Sequence, residues 1–458
     1  MQQENLNNFF PEVSIHGWAS LNGISPEFPA LLQKTEYGCQ LKVLFHGEAS
    51  YNAWKRSEHD VKDDATLSRN IQFRSLNKSY VLLECDYDYQ HGAFHGNETM
   101  GEMNLYASYA VQNTDSLSFE SVSCMRTSFS GLAEWSNALL LQQERRHQPL
   151  TDISLKERDT AEKILDSERK ILLSKVRDIS QQWASDSLHI QIREKAYIET
   201  WERDQHAWRE LLSVHRAIKK LVSISGWFAS TFNMMEVARD VERTSIESGT
   251  SSIHWHPAWS VVDTVKPKMR NIPSGFLFSM EDLDEDWLHI WLELCHDKDC
   301  ARMIGFLDRL SRELFRITAQ EQNWLVGNSL ESLGWYLVNT AKKAEYGNLK
   351  KNGQVTFVEG VKVILAEVQK AGEIDFLQPR DFPKYFNNAY KGNKHPDREG
   401  VDPVSFIHAT YQAILLMRVW LGLQLGANLD SMKQRIPQDN LGSIVKMAEE
   451  GRIHKRDF

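Results

Sequence analysis

Apolar and polar residues alternate one by one along much of the stretch from Val13 to Trp135. GCQLKVLFHGE (Gly38–Glu48), SYVLLECDYDYQHG (Ser79–Gly92) and MNLYASYAVQN (Met103–Asn113) repeat with a period of two, and SLSFESVSCMRTSF (Ser116–Phe129) follows. That period predicts strands with one buried and one wetted face. Gly, Asn and Asp punctuate the runs, as turns require. Four or more such strands within about 100 residues predict an antiparallel sandwich or barrel-like sheet.

From Pro149 to Trp183 the chain turns charged, with Leu and Ile at helical spacing. This predicts an exposed helix or a partly ordered excursion, its charges on a solvated face. Alternation returns at Leu188–Trp201. His206–Ser223 reads as an amphipathic helix with Trp208, Leu211, Leu212, His215 and Ile218 near one face. SGWFASTFNMMEV (Ser225–Val237) and SSIHWHPAWSVVD (Ser251–Asp263) read as further strands. Beyond Pro273 the texture is helical: apolar residues recur at i, i+3, i+4 and i+7 in Met280–His296, Cys300–Ile317 and Glu321–Gly347, and further helices follow. The fold class is α+β. A β-rich half, residues 1–272, is an antiparallel sheet or sandwich with inserted helices. An all-α bundle of five or six helices occupies residues 273–458.

The chain has 458 residues and a formal net charge of −9, so a nucleic-acid contact must be a local basic groove. Five cysteines, odd in number and mostly widely spaced, predict a reducing, cytoplasmic setting. The N-terminus lacks a basic and an apolar region, so no signal peptide is expected. The most apolar stretch, Ala413–Ala427, contains Arg418 and Gln424 and falls short of the roughly 20 residues a bilayer needs. It reads as a core helix, and no membrane contact is expected. There is no GxGxxG, Walker loop or GxSxG elbow, and no cofactor is expected. CHDKDC (Cys295–Cys300) lacks the second pair a zinc site needs. His254 and His256 read as an ordinary strand around a buried Trp255, and Asp63, Asp64, Asp86 and Asp88 as solvated.

The stretch most suggestive of chemistry is Asp381–Gly426, which opens DFPKYFNNAYKGNKHPDREG. A polar, basic helical turn ends in His395, followed by Pro396 and an acidic loop, with a long apolar helix behind. An imidazole with an unperturbed pKa near 6.5 suits acid or base work. Lys391 or Lys394 supplies a cation for a phosphorane, Asn393 a group to orient a phosphate or the imidazole, and Arg398 a further phosphate contact. The bland alternative is a C-capping histidine ahead of a proline.

The succession of these pieces resembles the ApeA-type N-terminal domain of bacterial abortive-infection proteins. The matching features are the early strand pair with Gly, the tyrosine-rich strand, and SFESVSCMRTSFSGLAEW with Leu132 and Trp135 at its end. From GFLFSMEDLDEDWLHIWLEL (Gly275–Leu294) the chain resembles the HEPN domain that accompanies it. The resemblance implies a homodimeric helical bundle acting as a metal-independent endoribonuclease in phage defence. Host RNA, tRNA among it, is the implied target, and the β-rich half is the implied sensor of a phage-derived trigger, expected to be a protein. The HEPN signature is Arg, four to six residues, then His. Here the corresponding segment is KGNKH, with Lys391 as the cation and His395 as the imidazole, so a point charge stands in place of a bidentate fork. The resemblance also places Glu331, between Trp324 and Trp335, in contact with the active-site helix. A strict Arg-x5-His occurs at Arg209–His215, in the half where the family has no catalytic site. Two other readings stand beside the nuclease: a bundle that binds RNA or a partner without cutting, and a ligand-binding sandwich with a helical oligomerisation module.

Overall fold

The computed structural model describes residues 14–21, 27–35, 38–62, 69–87, 100–114, 117–137, 141–143, 155–157, 162–167, 170–184, 187–245, 251–261, 275–313, 316–350, 352–377, 381–394 and 403–449. Its first strands are β1 (Ile15–Leu21), β2 (Phe28–Thr35), β3 (Gly38–His46), β4 (Ile71–Arg74), β5 (Ser79–Tyr87) and β6 (Met100–Gln112), with helix α1 (Gly47–Lys62) after β3. They pair antiparallel in the order β6-β3-β2-β1-β4-β5, and β5 closes back onto β6, giving a six-stranded barrel. Period-two alternation sorts the side chains between two cores. Tyr80 and Leu82 of β5 fill the barrel with Leu41, Val43, Phe73 and Leu105, while Val81 and Leu83 join the other core. Trp54 of α1, fully buried, lies edge-on to Phe28 and Phe45 in the barrel core.

The sheet leaves the barrel along β6, whose first half pairs with β3 and whose last residues pair with β16 (His256–Ser260) on the same edge. From there it runs through β13 (Phe232–Ala238) and β7 (Ser121–Phe129) to β12 (Ser187–Ala207), β11 (Ile171–Ala184) and β10 (Glu162–Asp166). The pairs β8–β9 (Leu141–Gln143 and Leu155–Glu157) and β14–β15 (Arg243–Ser245 and Ser251–Ile253) form small separate ribbons. The β-rich expectation for the first half stands, with a barrel at one end of its sheet. The charged Pro149–Trp183 stretch is corrected: its described parts are strands, and β11 pairs with β12 continuously from Ile171↔Thr200 to Ala184↔Ser187. Charges interleaved with Ile, Leu and Val suit a strand as well as a helix, and the long-range β12–β7 pairing decides the outcome.

Across this sheet lie α2 (Leu132–Trp135) and α3 (Trp208–Gly226), whose buried face includes Leu212, Ile218, Leu221 and Val222. The helical half comprises α4 (Trp287–His296), α5 (Lys298–Glu313), α6 (Ala319–Tyr336), α7 (Lys343–Tyr346), α8 (Phe357–Gln369), α9 (Phe382–Lys394), α10 (Pro403–Gln424), α11 (Leu429–Arg435) and α12 (Asn440–Glu449). Pro273 lies outside the described residues. On its far side one apolar core continues from α3 into α4, α5 and α10. Trp291 donates from Nε1 to Ala217 O at 2.8 Å, and Trp135 from Nε1 to Phe278 O at 3.1 Å. α10 is the long apolar helix expected behind His395, and it begins well before its most apolar stretch, Ala413–Ala427. By length and composition Ser405–Gln424 suffices to cross a membrane, yet this segment is mostly buried in the protein.

Arg418, midway along α10, is fully buried and ties the two halves together. Its Nε and Nη2 donate to Ile224 O and Ser225 O, and its guanidinium pairs with both oxygens of the fully buried Asp439 at 2.6 and 2.8 Å. The acceptors on α3 are carbonyls of its last turn, where the helix dipole favours a cation. Asp439 also accepts from the amides of Leu441 and Gly442, so every charge of the pair is satisfied.

Candidate active site

The helix that carries the predicted pair is built by one aromatic row. Phe382, Phe386 and Tyr390 recur every fourth residue on α9 and are buried. Phe357, the first residue of α8, stacks on Phe386 at 5.8 Å and on Tyr390 at 5.2 Å between centroids. α6 comes close enough to complete this packing because it has glycine at the crossings. A Cβ on Gly327 would lie 2.3 Å from the Tyr390 ring, and one on Gly334 would lie 2.8 Å from Gly360 Cα of α8. α9 is tied to α10 through Tyr385, whose hydroxyl donates to Ser405 O at 2.8 Å.

The opposite side of α9 carries Lys384, Asn388 and Lys391 at i, i+4 and i+7, the first two exposed and Lys391 half-buried in the last turn. Asn393 and Lys394 belong to that same last turn. His395 and Arg398 lie outside the described residues, in the segment 395–402 that α9 and α10 bracket. Glu331 sits on α6 between Gly327 and Gly334, at the edge of the face that meets α8 and α9. It is exposed, on the surface of the helix. Its charge nevertheless reaches α9: burial first and the Glu331 carboxylate second push the Tyr390 phenol up to about 12. Tyr390 therefore stays protonated at neutral pH, next in sequence to Lys391.

Glu331 also lines a pocket of about 440 Å³ between α5, α6 and the start of α8, with Arg302, Asn328, Ser332, Trp335 and Thr356 among its walls. Sequence reasoning missed Arg302, Asn328 and Tyr390. It also missed His408, a half-buried imidazole on α10 one turn beyond the Ser405 carbonyl that Tyr385 binds. The aromatic row of α9 was available as a signal for Tyr390; Arg302 and Asn328 had none.

The competing Arg-x5-His has a plain structural role. His215 is fully buried, with Nδ1 2.8 Å from Thr127 Oγ1 and Nε2 3.2 Å from Thr200 Oγ1. Burial lowers its pKa to about 3, so it is neutral, while Arg209 points to solvent. His256 is buried beside Glu242, its Nε2 3.0 Å from Oε1, and its ring stands 4.5 Å from that of the exposed His254. Trp255 is only half-buried, contrary to expectation, and lies against Trp201 and the Arg126 guanidinium. Among the described residues no three metal-ligating side chains converge.

A closed antiparallel barrel whose sheet runs on under a helical bundle defines a two-part protein, with α9 of the bundle ending in a turn that carries Lys391 and Lys394. The family model for ApeA N-terminal domain 1 matches residues 14–293, and that for the Apea-like HEPN domain matches residues 311–431. The first match spans more than half of the chain, and the chain belongs to the ApeA N-terminal domain 1 family, with an Apea-like HEPN domain behind it. No curated protein and no solved structure matches the chain.

Proposed function

We propose that this protein is a HEPN endoribonuclease of phage defence, cutting host RNA, tRNA among it, without metal and as a homodimer. The observation that supports it best is the Apea-like HEPN match, within which α9 carries Lys391 on its outer side and leads directly into His395. In this mechanism a base removes the proton of a ribose 2′-OH, the O2′–P bond forms, the P–O5′ bond breaks and an acid protonates O5′. His395 serves as acid or base, and a two-fold axis supplies the second imidazole from the other subunit. Lys391 balances the charge of the phosphorane, with Asn393, Lys394 and Arg398 on the strand and Glu331 supporting the helix.

The barrel half is proposed as sensor and restraint. Because α3 and the bundle share one core, the trigger acts by shifting a population between closed and open dimers, not by releasing a free nuclease. The test is cleavage of RNA in EDTA by purified protein, given the trigger. Wild type is expected to cut. His395→Ala abolishes cutting and Lys391→Ala slows it by about 10²-fold or more, the scale of losing one charge-stabilising donor. Cleavage that survives both substitutions assigns the chemistry elsewhere. Binding with a steep salt dependence and no cleavage under any condition favours the non-catalytic reading.

A further inference from the structure

Two tryptophans stand out from the helical half. Trp324 and Trp335 on α6 are 50% and 38% exposed, although so large an apolar ring is usually well covered. With Asn328 and Glu331 they form one stripe at i, i+4, i+7 and i+11. Alongside the Trp335 end of this stripe opens the pocket of about 440 Å³, a size suited to a small ligand. Asp299, Arg302, Asn328, Glu331, Ser332 and Trp335 are among the residues that line it, so two acids, a guanidinium and an indole belong to its surroundings; the Asn328 amide already donates to Trp324 O at 2.7 Å. Lys350 Nζ lies 5.8 Å from the centroid of the Trp335 ring.

This lining selects among ligand classes. An apolar molecule gains little from two carboxylates and a guanidinium. A free phosphate is repelled by the carboxylates, and a metal ion lacks a converging third ligand among the described residues. A nucleobase suits every wall. A base has a face that can stack on an indole, N–H donors that carboxylates accept, and a phosphate for which Arg302 and Lys350 are the cations at hand. Guanine offers two adjacent donors, N1–H and the N2 amino group, so a single carboxylate can take both.

We propose that the pocket between α5, α6 and α8 binds one unpaired nucleotide of the RNA, preferably guanine, stacked on Trp335 and held along its Watson–Crick edge by Glu331 and Asp299. The inference rests on the nuclease reading and adds to it a site that selects where the strand is held. The pocket lies beside α9, since Glu331 lines it and Gly327, one turn earlier on α6, packs directly on Tyr390.

The test uses the full chain carrying His395→Ala, so that RNA stays intact, and fluorescence anisotropy of labelled single-stranded oligonucleotides. One is all uridine, one has a single central guanosine, and a duplex of the latter serves as a third arm. The guanosine strand is expected to bind more tightly than the uridine strand or the duplex. Trp335→Ala weakens it about tenfold, as loss of one stacked base does, and Trp335→Phe retains most of the affinity. Glu331→Gln equalises the guanosine and uridine strands. Thermal melts check that each variant is folded. A Trp335→Ala variant within about twofold of its parent overturns the stacking site, given the size of a stacking contact. A guanosine preference that survives Glu331→Gln overturns the edge contact. In both cases cleavage by the His395-intact chain still stands as its own result. If the parent binds no RNA and the intact chain cuts none, the nuclease reading falls and this one with it.

Discussion

His215 shows how one residue type can carry opposite meanings in a single chain. Held between Thr127 and Thr200 and fully buried, it folds as a neutral imidazole with its pKa lowered to about 3. In the unfolded chain the value is about 6.5. Below that, the unfolded state binds the proton that the folded state refuses, so stability is full above about 6.5 and falls as the pH drops toward 3. Urea midpoints are expected to show roughly 1 kcal/mol lost between pH 7 and pH 5.5 through this group. His215→Asn should flatten that part of the profile, and an unchanged acid slope would remove the assignment. The motif around this histidine was legible but its role was not, because Thr127 is 88 positions away and strand pairing brings it there.

At the scale of elements, the site is a three-helix arrangement set by close contacts. Gly327 lets α6 meet Tyr390 of α9, and Gly334 lets it meet Gly360 of α8. Gly327→Ala puts a methyl group into the Tyr390 ring. It is expected to cost about 1–3 kcal/mol by overpacking and to reduce cleavage by displacing the last turn of α9. Thermal melting and the EDTA assay on one preparation check both effects; a variant with unaltered stability and activity would show that α9 does not depend on this contact. The helix itself was readable, since Phe382, Phe386 and Tyr390 fall every fourth residue. The neighbourhood of Glu331 was readable only through family resemblance. Arg302 and Trp335 converge because α5 and α6 pack together, and no local pattern encodes such a meeting. β11 was misread for the same reason. Its alternation is diluted by Lys, Arg and Asp, and what holds it is a partner strand met later in the chain.

For the whole molecule, the bond between halves is polar at its centre and apolar around it. Arg418 and Asp439 are both fully buried and fully partnered. Asp439→Ala strands the guanidinium and is expected to cost about 3–5 kcal/mol, whereas removing an exposed partner such as Glu102, paired to Lys42, costs about 1 kcal/mol or less. Chemical denaturation of the two variants side by side tests this contrast; equal losses would contradict it. The restraint proposed for the barrel half would act along this join, since Arg418 of α10 holds the last turn of α3. What the protein does turns on the chemistry at the end of α9. It is tested most directly by the ends of the RNA fragments that the triggered protein makes in EDTA. Attack by the 2′-OH predicts 2′,3′-cyclic phosphate and 5′-hydroxyl ends that disappear with His395→Ala, whereas 5′-phosphate ends, or cyclic ends that persist in His395→Ala, would contradict the account.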